Sequence, residues 1–112
     1  MVQLSTRLDA TFGALSDATR RGILERLGQG KASISELADS FEMTLTGMKK
    51  HVLVLEDAGL VTSQKTGRVR TCKLGPRRLE DEAAWISNYR RMLEERLDAL
   101  EEFLERTKGN EK

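Results

Sequence analysis

The stretch SISELADSFEMTLTGMKKHVLVLEDAGLV, residues 33–61, decides the fold. Ser33 followed three residues later by Glu36 is a capping box, in which each side chain accepts from the other residue's backbone amide. It opens a short helix through Leu37, Ala38 and Phe41. After a turn at Glu42 and Met43, Thr44 is placed to cap a longer helix running to about Ala58, with Gly59 as its stop. Met48, Val52 and Leu55 recur at helical spacing and form the inward stripe of that helix. Two helices joined by a three-residue turn have the dimensions of a helix-turn-helix. At about 100° per residue the inward stripe leaves Thr46, Lys49 and Lys50 on the opposite face. A hydroxyl, two cations and Gly47 at a helix start suit close approach to a DNA major groove.

Outward from this segment the period changes and then changes back. Residues 60–64, a turn at Lys65-Thr66-Gly67, and residues 68–74 read as strand, turn, strand. Lys65, Arg68 and Arg70 fall at or near the tip, where cations suit phosphates or a minor groove. Upstream, Leu4, Leu8, Phe12 and Leu15 make a first amphipathic helix. Ser16 or Asp17 can cap a second, with Ile23, Leu24 and Leu27 as its stripe and Gly28 and Gly30 as stops. Past Pro76 a single helical pattern runs from about Arg77 to Thr107, roughly 46 Å at 1.5 Å per residue. Leu79, Ala83, Ile86, Arg90, Leu93, Leu97, Leu100 and Leu104 alternate four- and three-residue steps there, and Trp85, Tyr89, Met92 and Phe103 broaden the seam. So wide a stripe calls for another helix against it. A chain of 112 residues buries a modest core, and a second copy would supply the missing cover.

The expected fold is therefore mainly α with a small β-hairpin wing: about five helices in one winged helix-turn-helix domain over residues 1–112. Its parts are the helix-turn-helix at 33–59, the wing at 60–74 and a long dimerisation helix at 77–107. The expected homodimer forms through the terminal helices, with Leu4, Leu8, Phe12, Trp85, Ile86, Tyr89, Leu93, Leu97, Leu100 and Leu104 at the interface.

Charge supports a local rather than global nucleic-acid footprint. Lys and Arg number 19 against 18 Asp and Glu, for a net charge of +1, yet residues 44–78 alone carry net +6. Catalytic and metal constellations are thin, because His51 is the one histidine and Cys72 the one cysteine. His51 within a Lys-rich helix reads as a phosphate donor or a packing residue, and Cys72 as a strand packing residue. The pairs Glu94-Glu95 and Glu101-Glu102 read as the solvated face of the last helix. No catalytic residue, metal site or cofactor is expected. No apolar run approaches a membrane span, and the start lacks the basic and apolar blocks of a secretion signal, so the chain reads as cytoplasmic.

LSDATRRGILERL (15–27), the 33–61 stretch and the hairpin GRVRTCKL (67–74) together resemble the ArsR/SmtB family of winged-helix transcriptional repressors over residues 8–107. KKHVLVLEDAGLV follows that family's basic-His-Leu-x-x-Leu-x-x-Ala-Gly-Leu signature in order and spacing. The resemblance implies a homodimer that represses by occupying double-stranded operator DNA. It places Thr44, Leu45, Thr46, Lys49, Lys50 and His51 where the recognition helix meets DNA, and Arg20 and Arg21 at the basic pair after a Ser-Asp-x-Thr helix start. Leu45 stands where a polar residue such as Gln is usual, and Leu53 where Lys is common, departures that bear on operator sequence. The family's metal sites use Cys-x-Cys in the third helix and Asp and His on the last; SISELADSF has no Cys and the last helix no His. The chain thus resembles the branch without those motifs, and its inducer stays open between a small molecule, a partner protein, an unfamiliar metal site and none. Two other readings remain beside it. One is a metal-responsive repressor with oxygen ligands around Glu94, Asp98 and Glu102; the other is a winged-helix interaction module that binds no DNA.

Overall fold

The computed structural model describes residues 2–110. The elements, in order, are α1 (Val2–Leu15), α2 (Ala18–Leu27), β1 (Ala32–Ser33), α3 (Ile34–Ser40), α4 (Leu45–Asp57), β2 (Val61–Thr66), β3 (Val69–Leu74) and α5 (Glu80–Asn110). They form two compact units, the first ending at Arg78 and the second beginning at Leu79.

In the first unit each helix starts where a side chain satisfies its orphan amides. Asp17 accepts from the Arg20 amide at 3.0 Å and so caps α2. Ser33 and Glu36 form the complete capping box at the head of α3. Thr44 Oγ1 accepts from the Gly47 amide at 3.1 Å to cap α4. Helices α3 and α4 also end alike. Met43 N–H donates to the Ala38 carbonyl and Glu42 N–H to Asp39; Leu60 N–H donates to Leu55 and Gly59 N–H to Glu56. These are Schellman closures, with Glu42 (φ 53°) and Gly59 (φ 76°) at the left-handed position. Glycine occupies the second without strain, whereas Glu42 bears a cost that its Cβ imposes.

The core of this unit gathers Ile23 and Leu27 from α2, Ile34 and Leu37 from α3, Met48, Val52 and Leu55 from α4, and Val61 and Cys72 from the sheet. Gly22 lets α2 approach Phe41, since a Cβ there would sit 2.8 Å from the ring. The sheet is three-stranded in the order β1-β3-β2, antiparallel throughout, with Ala32 paired to Cys72 and Ser63 to Cys72 from the other side. The short β1 is absent from the sequence reading. Two residues carry no periodicity, and only β3, some forty positions on, gives them a partner. The hairpin loop also differs from expectation: Lys65 and Thr66 belong to β2, and the turn is Gly67-Arg68 with φ +63° at Gly67. A glycine with positive φ at the first of two loop residues is the type II′ arrangement, whose twist matches the paired strands.

After β3 the chain doubles back over α4. Gly75 N–H donates to the Leu60 carbonyl at 2.8 Å, and a Cβ on Gly75 would lie 2.5 Å from the Gly59 carbonyl oxygen, so only glycine fits. Arg77, expected as the first residue of the last helix, is instead outside it. Its Nη1 donates to Thr11 Oγ1 at 2.8 Å and to the Ala58 carbonyl at 2.7 Å, joining α1 to the end of α4. Thr11 is fully buried and donates in turn to the Arg7 carbonyl.

The second unit is α5, 31 residues long and starting three residues later than the sequence pattern suggested. Glu80, Asp81 and Glu82 in its first turn and Lys108 in its last complement the helix dipole. Trp85 and Tyr89, one turn apart, stack with ring centroids 5.8 Å apart and planes at 9°. Within this chain Ile86, Leu93, Leu97, Leu100 and Leu104 are exposed, as are Trp85, Tyr89, Met92 and Phe103.

Two outcomes follow from these contacts. Arg77→Ala leaves the buried Thr11 hydroxyl and the α4 terminus without a donor and should lower unfolding free energy by about 2 kcal/mol, measured by urea titration with Arg77→Lys intermediate; an unchanged midpoint would contradict this role. The cap amides hold the Asp17 and Glu36 carboxyls below their ordinary values of 3.8 and 4.5, chiefly through the Arg20 and Ser33 backbone bonds. The unfolded chain therefore takes up these protons first, and stability should fall as pH drops from about 4.5 through the lower folded-state values. Asp17→Asn with Glu36→Gln should flatten that acid limb of a thermal-melting series by lowering the melting temperature near neutrality, where the two carboxylates stabilise the fold, while changing it little at the acid end.

Candidate nucleic-acid interface

Helix α4 is held by one narrow side. Met48, Val52 and Leu55 are buried, and at the helical period the side turned away from them carries Thr46 and Lys50, with Lys49 at its edge, all exposed. Leu53, on that outer side, is 57 % exposed, and Leu45, the first residue of the helix, is 49 % exposed. Exposed leucines at the start and middle of a cationic helix gain nothing in the free chain, but fit apolar contact with thymine methyl groups.

The hairpin adds a second cationic element. Register pairs Lys65 directly with Arg70, two like charges on one face of the ribbon, an arrangement that is unfavourable without an anion nearby. Arg68 lies in the exposed turn. Arg70 is partly committed: its Nη1 donates to Ser63 Oγ at 3.0 Å, and Ser63 Oγ donates to Glu56 Oε1 at 3.1 Å. This chain of bonds ties the wing to the last turn of α4. Neither Ser63 nor Glu56 stands out in the sequence. The alternation that places Ser63 on the inner face beside Val61 was the one available signal.

Arg20 meets His51 of α4, while Arg21 turns to the end of α1. Arg20 Nε donates to the Ala14 carbonyl at 2.8 Å, its Nη2 to Gly13 at 3.1 Å, and its Nη1 faces His51 Nδ1 at 3.2 Å. Arg21 Nη1 donates to the Leu15 carbonyl at 2.7 Å. Both arginines thus satisfy the last carbonyls of α1. Asp17 Oδ2 lies 3.9 Å from His51 Nδ1. Thr44 spends its hydroxyl on the α4 cap.

Other chemistry finds little footing. Burial and then the Glu56 carboxylate push the Cys72 thiol up, against a weaker opposite pull from Arg70. Among the described residues no three His, Cys, Asp or Glu side chains form a group able to hold a metal. Glu94, Asp98 and Glu102 lie on successive turns, so the outer two are about 12 Å apart along the axis. Among the described residues no helix is long and apolar enough to cross a membrane.

A helix-turn-helix domain family matches residues 15–64. The chain is 37% identical over 68 residues to the HTH-type transcriptional regulator Rv2034 of Mycobacterium tuberculosis, across 61% of this chain and 64% of that regulator, just under two thirds of its length. It is 42% identical over 69 residues to an uncharacterised HTH-type transcriptional regulator of Bacillus subtilis, YuzN, across 55% of this chain and 75% of the relative. Among solved structures, the ArsR family transcriptional regulator RHA00566 superposes with a TM-score of 0.74 at 40% identity, covering 80% of this chain and 93% of that one. The chain belongs to the ArsR family. Its five helices and antiparallel wing are the winged helix-turn-helix of that family, as the sequence resemblance implied.

Within this ArsR-family fold the expected contact residues divide into two sets. Leu45, Thr46, Lys49, Lys50, Lys65, Arg68 and Arg70 are exposed on α4 and the wing. Arg20 and His51 are half-buried behind them, bonded to each other, while Arg21, although exposed, is turned to the end of α1. The pairing of Arg20 with His51 has no signature in the chain, because the two are 31 positions apart.

Proposed function

We propose that this ArsR-family chain is a cytoplasmic, dimeric, non-enzymatic transcriptional repressor that occupies a palindromic operator and is released by a signal other than the familiar Cys- or His-ligated metals. The observation that carries the reading is the exposed row of Thr46, Lys49 and Lys50 on the side of α4 turned away from its buried stripe, with Lys65, Arg68 and Arg70 on the adjoining wing. An interaction module with no DNA partner has no use for two cationic elements in succession. In this reading Lys49, Lys50, Thr46 and Leu45 address base edges and the flanking phosphates in the major groove. Lys65, Arg68 and Arg70 lie along the backbone or minor groove. A phosphate between Lys65 and Arg70 would relieve their mutual repulsion.

The dimer is supported by the exposed apolar stripe of α5. A row from Ile86 to Leu104 left in water would be an aggregation hazard, whereas the same row on a second copy covers it with self-complementary geometry. Leu4, Leu8 and Phe12 of α1 join that interface, and Trp85 and Tyr89 widen it. Two-fold symmetry then sets two recognition helices about one DNA turn apart.

Sequencing the genomic fragments retained by the purified protein would give the operator, and salt-series titrations on operator and random duplexes then divide the work. Arg68→Ala should lower the salt slope by about one unit and keep the ratio of specific to nonspecific binding within a few-fold. Lys49→Ala with Lys50→Ala should lower that ratio, by about 1–3 kcal/mol for each lost base contact. Variants that bind both duplexes as the wild type does would place the DNA surface elsewhere. Separately, Leu93→Asp with Leu97→Asp should convert a sedimenting dimer into a monomer or an unfolded chain. A wild type that sediments as a folded monomer at micromolar concentration would remove the dimer from this reading.

A further inference from the structure

We infer that Arg20 governs DNA recognition from behind the interface, as a positioning residue that fixes His51 as an Nε2–H donor; the inference rests on the reading of α4 as the DNA-contacting helix. Arg20 makes three directed contacts from one guanidinium: Nε to the Ala14 carbonyl, Nη2 to the Gly13 carbonyl and Nη1 to His51 Nδ1. The two carbonyls belong to the last turn of α1, and that of Gly13 also accepts from the Ser16 amide and hydroxyl. They fix the plane of the guanidinium and therefore the direction in which Nη1 points. A guanidinium has donors only, so the ring nitrogen that faces it must carry a lone pair. The imidazole proton of His51 then sits on Nε2. Among the described residues Nε2 makes no hydrogen bond, and 22 % of the side-chain surface remains exposed. His51 lies one residue past Lys50 on α4, so a fixed N–H at this position is a directional complement to the two mobile lysine charges.

Asp17 closes the arrangement. Its carboxylate accepts from the Arg20 amide at 3.0 Å and lies 3.9 Å from His51 Nδ1, so α2 carries both the cation that donates to the ring and the anion that balances it. Arg20 thereby links the end of α1 to the middle of α4, and His51 is held by contacts 31 positions away in the chain. On this account Arg20 neutralises no phosphate. It matters to DNA through the ring it orients.

The test joins spectroscopy on the free protein to DNA titration. Long-range proton–nitrogen spectra of the wild type should show His51 in the Nε2–H tautomer, and Arg20→Ala should shift it to a mixture. On the retained operator fragment Arg20→Ala should weaken binding about three- to tenfold with the salt slope unchanged, where a lost phosphate contact would lower it by about 0.9. Arg20→Ala combined with His51→Ala should bind within twofold of His51→Ala alone, because the second change removes what the first positions. If Arg20→Ala fails to fold, Arg20→Lys serves: it keeps the charge but not the fork, and should show the same tautomer mixture and weakening. An Nδ1–H ring in the wild type, a slope lower by about one unit, or additive losses in the double variant would each overturn the inference while leaving α4 as the recognition helix. A wild type with the Nε2–H ring and no preference for any duplex would overturn the DNA reading and this inference with it.

Discussion

Burial of Met48, Val52 and Leu55 on one narrow side of α4 is the constraint on which the rest of the first unit turns. Three side chains fix the rotation of the helix about its axis, because a twist of one residue would bring a lysine into the core at a cost of several kcal/mol. Everything across from them is then committed to solvent. The Schellman closure at Gly59 and the Thr44 cap fix the length of the helix as the core fixes its rotation. A recognition surface needs both, since base edges repeat at a spacing set by DNA and not by the protein.

The parts of this architecture that depend on neighbours in sequence are legible in the sequence alone. The capping box at Ser33 and Glu36, the Thr44 cap, the stop at Gly59 and the inward stripe of α4 are all settled within four residues, and each stands where the sequence placed it. What escaped was long-range. Strand β1 exists only because β3 lies beside it, and Arg77 left the expected helix because Thr11, 66 positions earlier, and the Ala58 carbonyl compete for its guanidinium. At the candidate site the exposed cations of α4 and the wing could be read from periodicity and alternation. The partnership of Arg20 with His51, and of Arg70 with Ser63 and Glu56, could not. Charge alone does not tell whether an arginine faces outward to an anion or inward to a carbonyl.

That distinction changes the electrostatic picture of the surface. Of the cations counted in the sequence, Arg20, Arg21 and Arg77 serve helix ends and buried hydroxyls, and Arg70 is partly committed to Ser63. Of the charges left exposed, Lys49 and Lys50 lie at the start of α4 and Lys65 and Arg68 at the wing tip. A chain with a net charge of only +1 can present a cationic edge in this way, because its acidic residues are concentrated elsewhere, ten of them at or after Glu80.

The single thiol has a practical side. Cys72 is fully buried between β1 and β2, and its environment disfavours the thiolate that would react. A maleimide dye offered to the folded protein therefore meets no competing nucleophile of its own kind. One cysteine introduced at an exposed position such as Val69, at the wing, becomes a unique attachment point without first removing the native one. Distances from a fluorophore there to labelled duplex ends can then report how the wing sits on DNA in the otherwise unaltered sequence.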